Sequence, residues 1–292
     1  MFNQKRLKFT FVVFFILLAF ILFDIFQLQT TEFQSTSDII DQQNLDKFYI
    51  TAPRGEIFDA NGEKIAETKL EPHLFINMRK ITDQNSSDYR QIIQYNFPEL
   101  AIREINEIFE SKEILEFVTN LSSIEYEVRN NLLTNFDAFL IIDLPVRNYI
   151  KNELFAHTIG YLGIPNQDEF NIFQNASGNN QVGKNGLERY YEDYLSGIPG
   201  ELTFLGSEII DSKQPIRGRD LFLSIDSSTQ LVTKESLQQG IDLANKSFES
   251  INQIKRGASV VLDIETGNIV SMVSLPDFNP NKFVSGISDF EY

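Results

Sequence analysis

Residues 178–197, GNNQVGKNGLERYYEDYLSG, hold the spacing that most resembles a chemical site: Gly178, four residues, then Gly183 and Lys184. Most of a nucleotide-binding glycine loop is there, but such a loop needs Ser or Thr after its lysine so that a hydroxyl can ligate magnesium. Asn185 stands in that place. Metal chemistry has little to work with, because His73 and His157 lie far apart in sequence and no cysteine joins them. The same lack of cysteine removes thiol catalysis and disulfides. Asp59-Ala-Asn61-Gly62 could be misread as half a calcium loop, yet the obligatory glycine falls early and the alternating oxygen ligands do not continue. A Ser-His-Asp set lacks the Gly-x-Ser-x-Gly turn that would expose a nucleophile. Four Asn-x-Ser sequons, at Asn85, Asn120, Asn175 and Asn245, read as chance in an asparagine-rich chain.

The elements around these residues explain the glycines better. Leu187, Tyr190, Tyr191, Tyr194 and Leu195 recur at helical spacing, with Glu188, Arg189, Glu192 and Asp193 opposite. The expectation is a helix capped by Asn185 with Glu188, stopped by Gly197, and docked through its tyrosine face. Upstream, Ile57 and Phe58 lead through Asp59-Ala-Asn61-Gly62 to Ile65, two short strands about a turn in which both Asn61 and Gly62 suit positive φ. Between Asp83 and Asn131 helix signals dominate: Ser122 and Glu125 form a capping box, and Leu100, Ile105, Ile108 and Phe109 share a stripe. AFLIID, 138–143, reads as a buried strand. LFLSID alternates like a strand, and residues 228–244 form a helix burying Leu231, Val232, Leu237, Ile241 and Ala244. GASVVLDIETGNIVSMVS reads as two strands about a Glu-Thr-Gly-Asn turn, with no helix after it to cover the sheet.

A net charge of −16 makes nucleic acid a poor partner, since a phosphate backbone would be repelled. At the start, residues 9–26 run apolar apart from Thr10 and Asp24. As a helix they span roughly 27 Å, close to a bilayer's hydrocarbon thickness. Lys5, Arg6 and Lys8 precede the run and the next basic residue is Lys47, which orients the N-terminus to the cytoplasm. A cleaved secretory signal is the rival, but the run is long for one and no Ala-x-Ala site follows. Residues 29–50 then read as a polar juxtamembrane stalk.

Taken together, the anchor, PRGEIFDANGEKIAE, RNYIKNELFAHTIGYLG, VGKNGLERYYEDYLSGIPG, GRDLFLSID and GASVVLDIETGNIVSMVSLPDFNPNKFVSGIS resemble the class B penicillin-binding proteins, in particular those of rod elongation. The resemblance implies an α+β chain with a single transmembrane helix. It has a mixed α/β pedestal of the penicillin-binding protein dimerisation type, then the start of an α/β, β-lactamase-like transpeptidase domain. On that basis residues 1–28 are cytoplasmic tip and anchor, 51–218 a non-catalytic pedestal with a helical insertion at about 83–135, and 219–292 the opening of the catalytic domain. Arg54, Gly55, Asp59, Asn61 and Gly62 match the first pedestal motif. Arg147, Tyr149, His157, Gly160 and Tyr161 match the second, and Gly183, Gly186, Leu187, Glu188, Tyr190, Leu195 and Gly197 the third. Arg54 and Glu188 are expected either to join distant segments by hydrogen bonds or, for Arg54, to be solvated.

The activity implied is peptidoglycan cross-linking outside the bacterial inner membrane. A serine attacks a D-alanyl-D-alanine carbonyl, forms an acyl-enzyme, and is trapped by penicillin. No cofactor is implied. Stem peptides and β-lactams would bind only with the rest of the catalytic domain, and a membrane glycosyltransferase of the elongation complex is the implied partner. In this sequence no serine has lysine three places on, and Lys-Thr-Gly is absent too, so no catalytic residue is assigned here. Ser177-Gly178-Asn179 and Ser250-Ile251-Asn252 resemble the family's middle motif, Ser-x-Asn, a pattern short enough to match easily by chance. The 292 residues are therefore expected to be inert by themselves. The alternatives are a complete, non-enzymatic membrane-tethered scaffold and, more remotely, a penicillin-sensing receptor.

Overall fold

The computed structural model describes residues 18–23, 45–122, 124, 126–176, 178, 181–247 and 253–284. Most of the apolar run at 9–26 lies outside them. Its described part, 18–23, is an exposed helix (α1), and among the described residues no helix is long and apolar enough to cross a membrane.

Strand β3 (Lys64–Asn77) organises the rest. One edge pairs with β2 (Ile57–Phe58) near its start and with β4 (Leu115–Asn120) near its end; the other pairs with β5 (Phe139–Tyr149) along almost its whole length. Because side chains alternate across a strand, this sheet has two apolar faces. Leu74, Ile76 and Phe139 point to helices α2 (Ser86–Asn96), α3 (Ile102–Glu110) and α4 (Tyr126–Asn135), where Ile93, Phe97 and Ile105 complete a dry core. Phe75, Leu140, Ile142 and Leu144 point instead to a second sheet, β1 (Asp46–Ile50), β8 (Gly200–Leu205) and β9 (Glu208–Lys213), meeting Ile50, Leu202 and Phe204.

Several expectations change here. Residues 46–50 are not stalk but a strand bonded to β8. The insertion at 83–135 is not purely helical: Leu115–Asn120 is a strand, because its main chain completes the edge of β3. Ser122 donates its hydroxyl to Glu71 (3.1 Å), and Glu125 lies outside the described residues. In the first turn only Gly62 has positive φ (80°). The Asp59 carboxylate organises that turn, accepting the N–H groups of Asn61 (2.9 Å) and Glu63 (2.8 Å).

Beyond β9 the chain stays knitted to this frame. β10 (Leu221–Phe222) pairs in parallel with β2, and Ile225 shares a core with Ile57, Ile65, Tyr149 and Leu195. Helix α9 (Ser227–Ser247) lies on the hairpin of β11 (Gly257–Leu262) and β12 (Ile269–Leu275), with Leu237 and Ile241 against Gly257. The hairpin is thus covered on one face by the helix that precedes it. Leu231 and Val232, expected inside, are exposed. Ser227 and Gln230 are buried, since the buried Gln230 amide bonds Met272 and Leu154 main chain and the Ser271 hydroxyl.

Candidate functional site

The residues of the three motifs converge on four buried charges. Glu188 and Glu192 come from two short helical turns, α7 (Gly186–Tyr190) and α8 (Glu192–Leu195), which follow the strand β7 (Val182–Gly183). Arg54 comes from the segment before β2 and Arg147 from β5. Arg54 donates through Nε to Glu188 Oε2 (3.0 Å) and through Nη1 and Nη2 to the two oxygens of Glu192 (3.0 and 2.8 Å). Arg147 Nε donates to the other oxygen of Glu188 (2.9 Å), and its Nη1 to the Gly55 carbonyl (2.7 Å). Two guanidinium and two carboxylate groups balance in charge, and fork geometry lets each arginine satisfy several acceptors at once. Such balance is what a water-free interior demands, because an unpaired buried charge is costly.

Burial alone would push the Glu188 carboxyl up, but Arg147 and Arg54 outweigh it and hold it below the usual carboxylate range. Burial, reinforced by Glu188, pushes the Tyr149 hydroxyl well above its ordinary value. That hydroxyl lies 3.3 Å from Glu188 Oε1. Every one of these groups is locked into charge and hydrogen-bond pairing with another part of the fold. The quartet therefore acts as a clamp across three segments, with no free nucleophile in it.

Gly183 belongs to the same clamp. Its N–H donates to Glu192 Oε2 (2.8 Å), and a Cβ there would come within 2.2 Å of the Glu188 main chain, so the close approach requires glycine. Lys184 is turned away onto Glu169 (2.5 Å), which also accepts from Arg189 (2.7 Å). The apparent phosphate loop thus places its amide and its ammonium on two different carboxylates.

The expected docking through tyrosines is reversed. Tyr190 is 80% exposed and Tyr191 and Tyr194 are also on the surface, whereas Glu188, Glu192 and Leu195 are buried. The reason is the pull of the two arginines: positions 188, 192 and 195 share one helical face, and that face carries the carboxylates that pair with Arg54 and Arg147. Asn185 makes no side-chain cap bond, and the helix breaks at Tyr191. Leu187 is half-buried, and Gly160, Gly186 and Gly197 occupy left-handed turns (φ 84°, 60° and 71°). Glu192 escaped sequence reasoning, although its spacing of four from Glu188 was available.

Other motif residues go elsewhere. Asp59 and Asn61 meet the start of α9: Asp59 Oδ2 accepts the Ser227 N–H (3.2 Å), and the Asn61 amide donates to Asp226 (2.5 Å). These bonds and those within its own turn outweigh burial and lower the Asp59 carboxyl below its ordinary value. His157 bonds the Pro276 carbonyl (2.8 Å) and meets Phe278 edge-on, while Tyr161 stacks on Phe283. Ser177, Asn179 and Ser250–Asn252 lie outside the described residues. Among the described residues no group of three or more His, Cys, Asp and Glu side chains could hold a metal ion.

Residues 49–223 match the family model of the Penicillin-binding Protein dimerisation domain. The chain is 30% identical over 280 residues to the peptidoglycan D,D-transpeptidase MrdA of Acinetobacter baumannii, covering 91% of this chain and 39% of that protein. With MrdA of Escherichia coli K12 it shares 25% over 306 residues, 99% of this chain and 46% of the relative. Among solved structures, penicillin-binding protein PBP2 of Helicobacter pylori, in a complex with MreC, superposes with a TM-score of 0.62 at 25% identity, covering 85% of this chain and 46% of that one. The chain thus spans less than half the length of these curated relatives.

Proposed function

This chain belongs to the penicillin-binding proteins that carry the dimerisation domain, and from that premise we propose that it is the N-terminal part of a peptidoglycan D,D-transpeptidase of the elongation type. The observation that supports the reading is the family match over 49–223, continued by a near end-to-end alignment with MrdA proteins more than twice as long. In this reading residues 9–26 anchor the chain in the bacterial inner membrane and the remainder faces outward. The clamp of Arg54, Arg147, Glu188 and Glu192 makes the pedestal rigid, and Asp59 and Asn61 fix the start of α9, on which the catalytic domain is built.

The reaction belongs to a serine beyond this sequence. Its hydroxyl attacks the D-alanyl-D-alanine carbonyl, releases D-alanine, and passes the acyl group to the amine of a second strand. The 292 residues carry no Ser-x-x-Lys, so they neither cross-link nor bind penicillin covalently. The partners in this reading are a membrane glycosyltransferase and a protein of the MreC kind, the latter because the Helicobacter pylori neighbour forms a complex with MreC.

Fluorescent penicillin tests it. The full gene product is expected to form a covalent adduct at a serine of a Ser-x-x-Lys motif, and the 292-residue chain none. An adduct on the short chain would overturn its inactivity; no adduct on either would leave a scaffold. Protease added to intact spheroplasts should digest the chain beyond Gln27, and protection of that part would reverse the topology.

A further inference from the structure

The chain has two Asn-Gly steps, Asn61-Gly62 and Asn185-Gly186. Such a step is open to a spontaneous reaction of the main chain. The glycine nitrogen attacks the carbonyl carbon of the asparagine side chain, ammonia leaves, and a five-membered succinimide closes. Water then opens the ring at either carbonyl, giving an ordinary aspartate or an isoaspartate whose main chain runs through the side-chain carbon. Glycine is the permissive successor because no Cβ obstructs the ring. The reaction needs a glycine N–H free to lose its proton and a carboxamide free to turn onto it.

At Asn61 the fold withholds both. The Gly62 N–H donates to the Asp59 carbonyl (3.1 Å), and the Asn61 carboxamide, which must rotate and lose ammonia, donates to Asp226 (2.5 Å). The Asn61 N–H is tied as well, to Asp59 Oδ1 (2.9 Å). At Asn185 both are available. The residue is exposed, and its carboxamide makes no hydrogen bond among the described residues. The Gly186 N–H opens α7 and so has no intrahelical acceptor, and it finds no other partner among the described residues. Glycine is obligatory at 186, where φ is 60° and a Cβ would lie 2.6 Å from the Thr158 and Ile159 carbonyl oxygens. The reactive step is therefore built into the turn.

We propose that Asn185 is a site of spontaneous deamidation, through a succinimide with Gly186, and that the isoaspartate it yields loosens the clamp. Asn185 lies between Gly183, whose N–H holds Glu192, and Glu188 itself. An isoaspartate adds a main-chain carbon to that short run. It also turns the Asn185 main-chain carbonyl, which accepts the Arg189 N–H (3.2 Å), into a pendant carboxylate. The segment has little room to absorb the change, because even a Cβ on Gly160 would come within 2.1 Å of the Asn185 carbonyl oxygen. The inference rests on this turn and not on transpeptidase activity.

The test ages the 292-residue chain in detergent micelles at mildly alkaline pH, where the glycine nitrogen gives up its proton more readily. Peptide mass spectrometry follows both Asn-Gly steps, and isoaspartate-specific enzymatic methylation identifies the product. In the folded chain Asn185 should convert at least about tenfold faster than Asn61, since the hydrogen bonds that must break at Asn61 add to its barrier. In concentrated urea, with no fold to tell them apart, the two steps should convert at similar rates. Chain carrying isoaspartate at 185 should melt lower than fresh chain. Asn185→Ser, which has no carboxamide to lose, should keep its own melting temperature through the same ageing. Equal conversion of Asn61 and Asn185 in the folded chain, or the same contrast persisting in urea, would overturn the proposal. So would an unchanged melting temperature after conversion at 185, or an equal loss in aged Asn185→Ser.

Discussion

Glu188 is held by Arg54 and Arg147, whose side chains are 7% and 1% exposed, whereas Glu169 is held by Lys184 and Arg189, at 21% and 41%. Both carboxylates are themselves almost wholly inside, and both lie below the usual carboxylate range; Glu169, by Lys184, the Asn166 main chain and Arg189 acting against burial, falls to about 2. What separates them is where the cations stand. Around Glu188 the cations are as dry as the carboxylate, so each group depends on every other. Around Glu169 the cations keep their water and lose little when the carboxylate is removed. A carboxylate's own burial therefore does not decide how much its removal costs; the hydration of its partners does.

The sharpest break of this contrast is Glu188→Gln. It keeps the shape but leaves two buried guanidinium groups facing one carboxylate, and is expected to cost about 3–5 kcal/mol, the range for removing one member of a buried ion pair. Chemical denaturation of the chain in detergent reads it directly. A loss below that of Glu169→Gln would abolish the distinction.

Arg54→Lys comes next. The ammonium keeps the charge but cannot span Glu188 and Glu192 as the fork does, so the expected loss is about 2 kcal/mol with a lower melting temperature. An unchanged melting temperature would mean that charge alone, without geometry, holds the clamp.

These two substitutions also mark how far the sequence was legible. The turn after Phe58, helices α2 and α3, helix α9 and the β11–β12 hairpin were readable, because Asp-x-Asn-Gly and helical or alternating periodicity are local. Strands β1, β4, β8 and β9 were not. Leu115–Asn120 earns its strand only by pairing with β3, and Asp46–Ile50 by pairing with residues far along the chain. The joining of Arg54 to Glu188 was anticipated from arginine chemistry, yet 134 residues separate them, and no local rule could add Arg147 to the pair, while Glu192 had only its spacing of four from Glu188 as a cue. Without that quartet in view, three tyrosines look like the inner face of a helix.

Glu169→Gln should be the milder substitution. With half-hydrated partners, the expected loss at neutral pH is about 1 kcal/mol, and salt should shrink it while leaving the effect of Glu188→Gln nearly unchanged. Its pH dependence has a definite sign. The folded carboxyl titrates at about 2, below its ordinary 4.5, so its contribution is complete above pH 4.5 and is lost as pH falls through about 2. Stability curves of the parent and Glu169→Gln should therefore converge over that interval. Parallel curves would assign the acid sensitivity to other carboxylates.

The smallest expected effect probes the inverted helix face. Tyr190 is 80% exposed, its ring edge-on to Tyr191 at 4.8 Å, and it contributes nothing to the clamp. Tyr190→Ala should change stability by no more than about 0.5 kcal/mol, as surface substitutions do. A docked tyrosine would instead behave like a core aromatic and cost about 3–5 kcal/mol on truncation. The two outcomes differ by enough that one denaturation curve decides between them. A near-zero result keeps the carboxylates as the inward face; a large one would turn the helix over and release Glu188 and Glu192 to solvent, which the dry arginines cannot accommodate.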